Sequence, residues 1–374
     1  MSETRYNLAG SIGILIILSS ALLAGCNQQD EQDPVKVFLS AERIDSVRTR
    51  IEQRKEPQYS AYLDLKEEAE SLLDHTPTVP DTWFVPFFYQ DSRGHQQAKK
   101  ALMDDANTAY KLALMYQLTG QEKYARSAVP IIKGWSTLGG IQTEEDSKLS
   151  FSYHYPALIF AADMVRSSPE WTGQAESNLR GFLVNEALQL NTMDRHNNWG
   201  NWGLALVLSV AAYVEDEELM AEGYKRWEEF IDTQVGDEGQ LPHEITRNNG
   251  VGERGIWYSH FTLMPQTIAA EIACTNGLDL YDYTSEEGRT LQMAYHTLAP
   301  WAMDPSTFPH FTGEGGAEQR GVDYISYFEV LNTLWPNDAS SEMLQRRRPL
   351  TASHSTPVLT LTHGDLAIPC NRTL

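Results

Sequence analysis

The chain has 374 residues, of which 41% are hydrophobic and 10% aromatic, so it can bury a substantial core. Its formal net charge of −22 at pH 7 argues against nucleic-acid binding, which normally requires a basic surface. The net charge affects solubility and long-range electrostatic fields but does not determine the local charge of a single cleft, so arginines in a cleft can still bind an anion.

The N-terminal apolar run, which includes Ile14 to Leu18, ends at Leu23-Ala24-Gly25-Cys26. It is shorter than the roughly 20 residues of a membrane span and has the size of a signal-peptide hydrophobic region. The ending resembles a bacterial lipobox. That resemblance implies a signal peptide over residues 1–25 and a lipid on Cys26, followed by a polar tether to residue 36. An ordinary signal peptide with a chance cysteine is the alternative.

The lipobox resemblance also implies a cell-envelope lipoprotein that meets the membrane only through this anchor. Because Asn27 and not an aspartate follows the cysteine, the resemblance implies the outer membrane, facing either the periplasm or the cell surface. The other two cysteines, Cys274 and Cys370, are compatible with a disulfide in an exported protein or with free thiols.

Helical periodicity dominates from residue 40 to about residue 300. The segments Asp105–Leu118 and Glu122–Trp135, separated by Thr119-Gly120, predict a helical hairpin. Strand signals are sparse until Pro357–Leu361. The same helical pattern recurs in Tyr155–Arg166, Glu176–Leu190, Trp202–Val214, Glu217–Gln234, Leu263–Asn276 and Glu287–Ala302.

Repeated helical hairpins fit either a solenoid of repeats or an (α/α) toroid, in which paired helices close around a cleft. Solenoid linkers are usually short, whereas the linkers here (76–97, 191–202, 236–261 and 304–324) are long and rich in aromatic and polar residues. We therefore predict an all-α fold: an incomplete barrel of about five to seven hairpins over residues 37–340. Residues 341–374 are predicted to be an extension packed on the same domain.

Two of these linkers combine amides, imidazoles, guanidinium groups and indoles just before a helix. The first runs from Arg195 to Trp202, and the second runs from Leu241 to Arg247 and continues from Arg254 into an apolar helix. Side chains of these types can bind and polarise an anionic substrate, so both linkers are candidates for one site.

These segments resemble the alginate lyase family of (α/α)-toroid polysaccharide lyases. That family carries Asn-Asn-His-x-x-Trp at a helix start, then Leu-Pro-Asn-Glu-x-x-Arg, then a Tyr that opens the next apolar helix. The chain departs from the pattern at Trp199, where the family has His, and at His243, where it has Asn. It therefore resembles a divergent relative. The matching positions are Asn197-Asn198, Trp202, Leu241-Pro242, Glu244, Arg247 and Tyr258.

The resemblance implies cleavage of a uronate-containing polysaccharide by β-elimination. The proton next to the carboxylate is weakly acidic until that carboxylate is neutralised, and Asn198, His243 and Arg247 are the candidate donors. Tyr258 is the candidate base and acid, with His243 as the alternative base. Arg247 and Arg254 are expected to lower the pKa of the phenol. This donor set requires no cofactor and no catalytic metal, and no Cys/His spacing resembles a zinc site.

In β-D-mannuronate and β-D-glucuronate the proton and the leaving oxygen share one face, so a single tyrosine can serve both. The predicted substrate is therefore polymannuronate-type alginate or glucuronan, and the sequence does not choose between them. Structural alternatives are helix capping for Asn197 and Asn198, core packing for Trp202 and Tyr258, and pairing with Glu244 for Arg247. The predicted substrate contacts are Asn197, Trp199, Trp202, Arg254 and His260, with Trp83, Phe84, Phe87 and Phe88 as a lid.

Two other functions compete with the lyase. A glycoside hydrolase on a similar toroid would need two carboxylates across the scissile bond, and Glu244 with Asp194, Asp237 or Glu314 could supply them. A surface glycan-binding protein without catalysis is the third reading. The sequence carries no signal for endo or exo cleavage, for a structural metal or for oligomeric state.

Overall fold

The computed structural model describes residues 35–247, 254–313, 324–366 and 370, all within the unit Asp33–Leu374. Cys26, the tether up to residue 34 and Glu314 lie outside these residues. Over the described ranges the fold is all-α, as predicted, and its one β-type contact is an isolated bridge between Trp83 and Ile141. The helices are α1 (Ala41–Glu52), α2 (Gln58–Ser71), α3 (Ser92–Thr119), α4 (Glu122–Trp135), α5 (Ser147–His154), α6 (Pro156–Val165), α7 (Gly173–Asn185), α8 (Asn198–Val214), α9 (Glu217–Gln234), α10 (Pro242–Ile245), α11 (Arg254–Thr275), α12 (Leu291–Met303), α13 (Phe328–Leu334), α14 (Asp338–Arg347) and α15 (Leu359–His363).

The predicted hairpin of α3 and α4 is present, and its turn follows from Gly120. This residue adopts φ +66°, a left-handed conformation that glycine reaches without steric cost, and its N–H caps the carbonyl of Tyr116 at 2.8 Å. Glu122 then begins α4, and the chain reverses within two residues.

An inner layer of helices forms the centre of the fold. Helices α3, α6, α8 and α11 contact one another in succession, while α4 and α9 pack outside α3 and α8. Every residue of α6 is buried, and α8 is buried almost throughout, whereas α9 exposes a polar face. This arrangement of inner and outer helices is an (α/α) toroid.

The C-terminal region packs into the same core. The strand signal at Pro357–Leu361 does not correspond to a strand, because Leu359–His363 form α15, which contacts α1, α2 and α13. The predicted boundary at residue 340 falls inside α14. Buried Glu329 of α13 accepts a hydrogen bond from Arg348 Nη2 at 2.7 Å, which joins this region to α13.

A disulfide between Cys274 and Cys370 ties the end of α11 to the segment after α15, and this resolves the choice that the sequence left open. Over the ranges described here, no helix combines the length and apolarity needed to cross a bilayer.

Helix α11 begins earlier than the sequence indicated. It starts at Arg254, whereas periodicity predicted a helix from Leu263, so Tyr258 and His260 lie on a helix and not in a loop. Residues two apart on a helix point about 200° apart. Tyr258 therefore faces the cleft described below, whereas His260 faces the helix packing.

Candidate active site

A cleft of about 490 Å³ opens at the end of the toroid where the aromatic loop before α3 meets the start of α11. Among the described lining residues, Lys99 and Arg247 are cations and Asp146 is the one carboxylate. This chain of net charge −22 therefore has a locally cationic cleft, which suits an anionic ligand. The lining residues are Phe87, Phe88, Tyr89, His95, Gln96, Lys99, Asp146, Leu149, Tyr153, Trp199, Arg247, Trp257, Tyr258, Phe261, Tyr324 and His354.

Glu244 connects the two predicted segments beneath this cleft. Glu244 is 1% exposed, and its Oε1 accepts a hydrogen bond from the backbone N–H of Asn198 at 2.8 Å. The Asn198 Nδ2 lies 3.1 Å from both carboxylate oxygens, and Arg247 Nε donates to Oε2 at 3.0 Å. A buried carboxylate with these donors is well compensated, and it holds Arg247 against the start of α8.

Arg247 and Tyr258 lie side by side on the cleft wall. The guanidinium carbon is 4.7 Å from the centre of the Tyr258 ring, and the Tyr258 hydroxyl is 2.5 Å from the hydroxyl of Tyr89. Burial and the hydrogen bond with Tyr89 raise the pKa of Tyr258, and they outweigh the lowering effect of Arg247. Arg247 therefore lowers this pKa, as expected, but the net shift in the free protein is upward.

Two of the four predicted catalytic residues, Arg247 and Tyr258, line the cleft. Asn198 is 1% exposed and its amide nitrogen donates to Glu244, so the predicted contact between Asn198 and the substrate is wrong. His243 is exposed on the short helix α10 and is not among the residues that line this cleft, so its role at the carboxylate or as a base stays a prediction.

The predicted substrate contacts divide between cleft and core. Trp199 lines the cleft, whereas Trp202 is fully buried with its ring 5.2 Å from that of Phe261, so a sugar cannot stack on it. His260 is also fully buried, and its Nδ1 lies 2.9 Å from the Tyr327 hydroxyl. The predictions for Trp202 and His260 are therefore wrong.

Asn197 and Arg254, two predicted substrate contacts, are not among the residues that line the cleft. Asn197 caps α8 by accepting a hydrogen bond from Trp199 N–H at 3.1 Å and does not line the cleft, so the capping alternative is the one observed. Arg254 is exposed and its guanidinium carbon lies 5.6 Å from the centre of the Tyr89 ring, at the edge of the site.

Two of the four residues of the predicted lid lie at the cleft. Phe87 and Phe88 line the cleft and Phe84 is exposed, but Trp83 is 1% exposed and its Nε1 donates to the Ser147 carbonyl at 3.0 Å. Trp83 therefore anchors the loop in the core.

Sequence reasoning missed Tyr89, Lys99 and His95. Tyr89 ends the aromatic loop, and the other two lie four residues apart on the first turns of α3, on one helix face. His95 Nδ1 is 3.0 Å from the Pro86 carbonyl and 3.3 Å from Asp146 Oδ2, so the ring orientation is set. The polar i, i+4 pair was the available signal, but polar helix faces are usually solvated.

A second cavity of about 510 Å³ adjoins the first, because Phe87 and Trp199 line both. Its remaining lining residues are mostly polar, and the guanidinium carbon of Arg195 lies 4.1 Å from the centre of the Trp199 ring. Trp199 therefore divides a groove that continues on both sides of it.

The carboxylates proposed for a hydrolase are not opposed across this cleft. Glu244 is buried and hydrogen-bonded as described above, Asp194 lines the second cavity, and Asp237 pairs with Arg289 at 3.0 Å. Glu314 lies outside the described residues. In the part of the chain that the structure describes, no group of three or more His, Cys, Asp or Glu side chains could hold a metal ion.

The helical layers and the cationic cleft at one end of them define an (α/α)-toroid protein. Residues 52–308 match the sequence model of the family described as alginate lyase. The chain therefore belongs to the alginate lyase family, a family of polysaccharide lyases, as the motifs predicted.

Sequence relatives are distant. A polysaccharide lyase of Stenotrophomonas maltophilia (strain K279a) is 25% identical over 181 residues, which are 48% of this chain and 51% of the relative. An alginate lyase of Pseudomonas fluorescens (strain SBW25) is 22% identical over 241 residues, which are 58% of this chain and 62% of the relative. The chain thus spans between half and two thirds of the length of these relatives.

Solved structures match over nearly the whole fold. An alginate lyase from Bacteroides ovatus gives a TM-score of 0.71 at 16% identity, covering 88% of this chain and 99% of that one. Alginate lyase A1-III from a Sphingomonas species gives 0.69 at 17% identity, covering 89% and 97%. A variant of A1-III complexed with a tetrasaccharide gives 0.72 at 17% identity, covering 87% and 95%. At these identities the likeness confirms the toroid fold.

Proposed function

We propose that the protein is a polysaccharide lyase that cleaves a uronate-containing anionic polysaccharide, polymannuronate-type alginate or glucuronan, by syn β-elimination. The observation that carries the proposal is the pairing of Arg247 with Tyr258 on one wall of a cationic cleft, at 4.7 Å. Family membership and the names of the relatives, polysaccharide lyase and alginate lyase, support it.

In this reaction Arg247 pairs with the carboxylate of the reacting uronate. Its Nε is held by Glu244, so the other guanidinium N–H groups are the donors that neutralise the substrate. The Tyr258 phenolate then takes the proton from C5, the C4–O bond breaks, and a C4=C5 double bond forms. Tyr258 returns that proton to the leaving oxygen, so the phenolate is regenerated. Asn198 acts as a positioning residue through Glu244.

The raised pKa of Tyr258 has a consequence for turnover. At neutral pH the phenol of the free enzyme keeps its proton, and only the small phenolate fraction can act as a base. We therefore expect kcat/KM to rise with pH just above neutrality, by about tenfold per unit while the phenolate remains the minor form of the free enzyme.

The deciding assay is the ultraviolet absorbance of the conjugated double bond that elimination creates. Polymannuronate, polyguluronate, glucuronan and a glycosaminoglycan should be compared, and we expect absorbance with the first or the third. A hydrolase would produce reducing ends without this absorbance, and a binding protein would produce neither.

Substitution of the proposed base completes the test. Tyr258→Phe should abolish turnover and leave substrate binding largely intact. Tyr224→Phe is the matched control, because Tyr224 is half-buried, its buried hydroxyl has no hydrogen-bond partner among the described residues, and the residue does not line the cleft. Near-normal activity of Tyr258→Phe would refute the assignment of the base.

We also propose that the protein is an envelope lipoprotein anchored through Cys26, in the outer membrane. The lipobox-like sequence before Cys26 supports this. Labelling of the protein by a fatty-acid probe in cells, lost in Cys26→Ser together with membrane association, is the expected result. Equal labelling of both forms would contradict it.

A further inference from the structure

Lys99 carries an ammonium group on the wall of the cleft. Its Nζ lies 3.3 Å from the Tyr153 hydroxyl and 5.4 Å from the centre of the same ring. Among the described residues no carboxylate oxygen lies within ion-pair distance of it. The next residue, Lys100, points to the surface and pairs with Asp104, so the two neighbours differ in environment and not in chemistry.

The environment of Lys99 disfavours its positive charge, and the free protein compensates that charge only in part. Burial lowers the pKa of Lys99 to about 8, and the opposing effect of Asp146 is smaller. The side chain is therefore mainly protonated at neutral pH while its solvation is incomplete. A bound anion would give the ammonium group a favourable partner, so Lys99 is suited to bind a negatively charged group.

Lys99 and Arg247 lie in different parts of the cleft. Arg247 is at Tyr258, whereas Lys99 contacts Tyr153, whose ring is 5.9 Å from that of Phe261, about one turn further along α11 than Tyr258. Two cations with different aromatic partners offer two positions for a carboxylate, and successive uronates of one polymer would supply two carboxylates.

We propose that Lys99 binds the carboxylate of a uronate next to the one that reacts, and so selects polymers in which uronates follow one another. A chain that alternates uronate with a neutral N-acetylhexosamine would place no charge at this position. The inference rests on the proposed function, and it assigns to Lys99 the selection of homopolymeric uronates over alternating polymers.

The test measures binding without turnover. In the Tyr258→Phe background, calorimetric titration with a mannuronate tetrasaccharide at pH 7 should give a Kd that rises about 10- to 100-fold on Lys99→Met. Lys100→Met should leave Kd unchanged, and Lys99→Arg should restore most of the affinity. With an alternating hyaluronan tetrasaccharide, Lys99→Met should change Kd little.

A pH series separates charge recognition from a structural role. Affinity in the Lys99 protein should fall as pH rises through about 8, because the ammonium loses its proton, whereas the Lys99→Arg protein stays charged. Comparing the two proteins at each pH cancels the titration of the other groups that face this part of the cleft: Asp146, Tyr153, His95, His354, Arg247 and Tyr89.

Equal Kd values for Lys99→Met and Lys100→Met, or an equal loss on both tetrasaccharides, would overturn the proposal. Parallel pH profiles of the Lys99 and Lys99→Arg proteins would overturn it as well. Because the readout is affinity, a wild-type enzyme that yields no unsaturated product would refute the proposed function and leave this result interpretable.

Discussion

Glu244→Gln is the change that tests most directly how the site is held together. The carboxylate is buried and accepts hydrogen bonds from Asn198 N, Asn198 Nδ2 and Arg247 Nε. Glutamine has nearly the same shape, but it replaces one acceptor oxygen with an NH2 donor. A donor would then face Arg247 or the Asn198 amide, and the negative charge that compensates Arg247 would be gone.

The cost follows from these contacts. Breaking a buried ion pair costs about 3–5 kcal/mol, and the lower part of that range applies because the Arg247 side chain is 31% exposed and can be rehydrated. For a domain of this size we expect Tm to fall by roughly 3–6 °C. We also expect kcat/KM to fall about 100-fold, because a displacement of Arg247 by about 1 Å misplaces the group that neutralises the substrate.

Thermal unfolding and lyase kinetics should be measured on the same preparations. Glu222→Gln, at an exposed position of α9, makes the same chemical change and should leave both quantities within error. A lower Tm with wild-type kcat/KM would mean that Glu244 contributes to stability and not to catalysis. Wild-type values for both would refute the reasoning that its carboxylate positions Arg247.

Three further outcomes can be checked by unfolding and kinetics. Burial opposes ionisation of Glu271, but the neighbouring Arg43 lowers the pKa of this carboxyl to about 2. The carboxylate therefore stabilises the fold above pH 4.5, and this stabilisation is lost as pH falls towards 2. Glu271→Gln should flatten that decline in a Tm-versus-pH series. Cys370→Ser opens a disulfide that spans 96 residues and should lower the unfolding free energy by about 2–5 kcal/mol, which denaturant titration would measure, and an unchanged midpoint would contradict it. Trp202→Ala removes a buried core side chain and should lower the unfolding free energy by about 3–5 kcal/mol. Trp199→Ala should instead raise KM with little change in Tm, because Trp199 lines the cleft. The reverse pattern would mean that the two indoles have been assigned wrongly.

The motif positions were predictable because they depend on short stretches of sequence. Arg247 and Tyr258 were recognised from the order of residue types, and both line the cleft. His243 occupies a motif position too, but it lies at N2 of a four-residue helix whose buried member is Glu244. Residue type alone does not say which side chain of such a turn faces inwards.

Helix boundaries explain a second group of errors. His260 was assigned to a loop at the site because periodicity began at Leu263, yet α11 includes Arg254 and turns His260 into the core. The segment before Leu263 is rich in polar and aromatic residues, so its apolar periodicity is weak. The neighbouring layers of the toroid supply the burial that keeps it helical.

The sequence by itself determined the helical hairpins, the all-α class and the two polar segments, because periodicity, capping and turn residues act over a few positions. Tertiary structure decided which side chains meet. Glu244 contacts Asn198 across 46 positions, and Tyr89 reaches Tyr258 across 169. Such pairs depend on how successive helices close into a toroid, and no local pattern in the chain encodes that closure. Only the tertiary structure shows that the face of α3 that carries Lys99 lines a cleft.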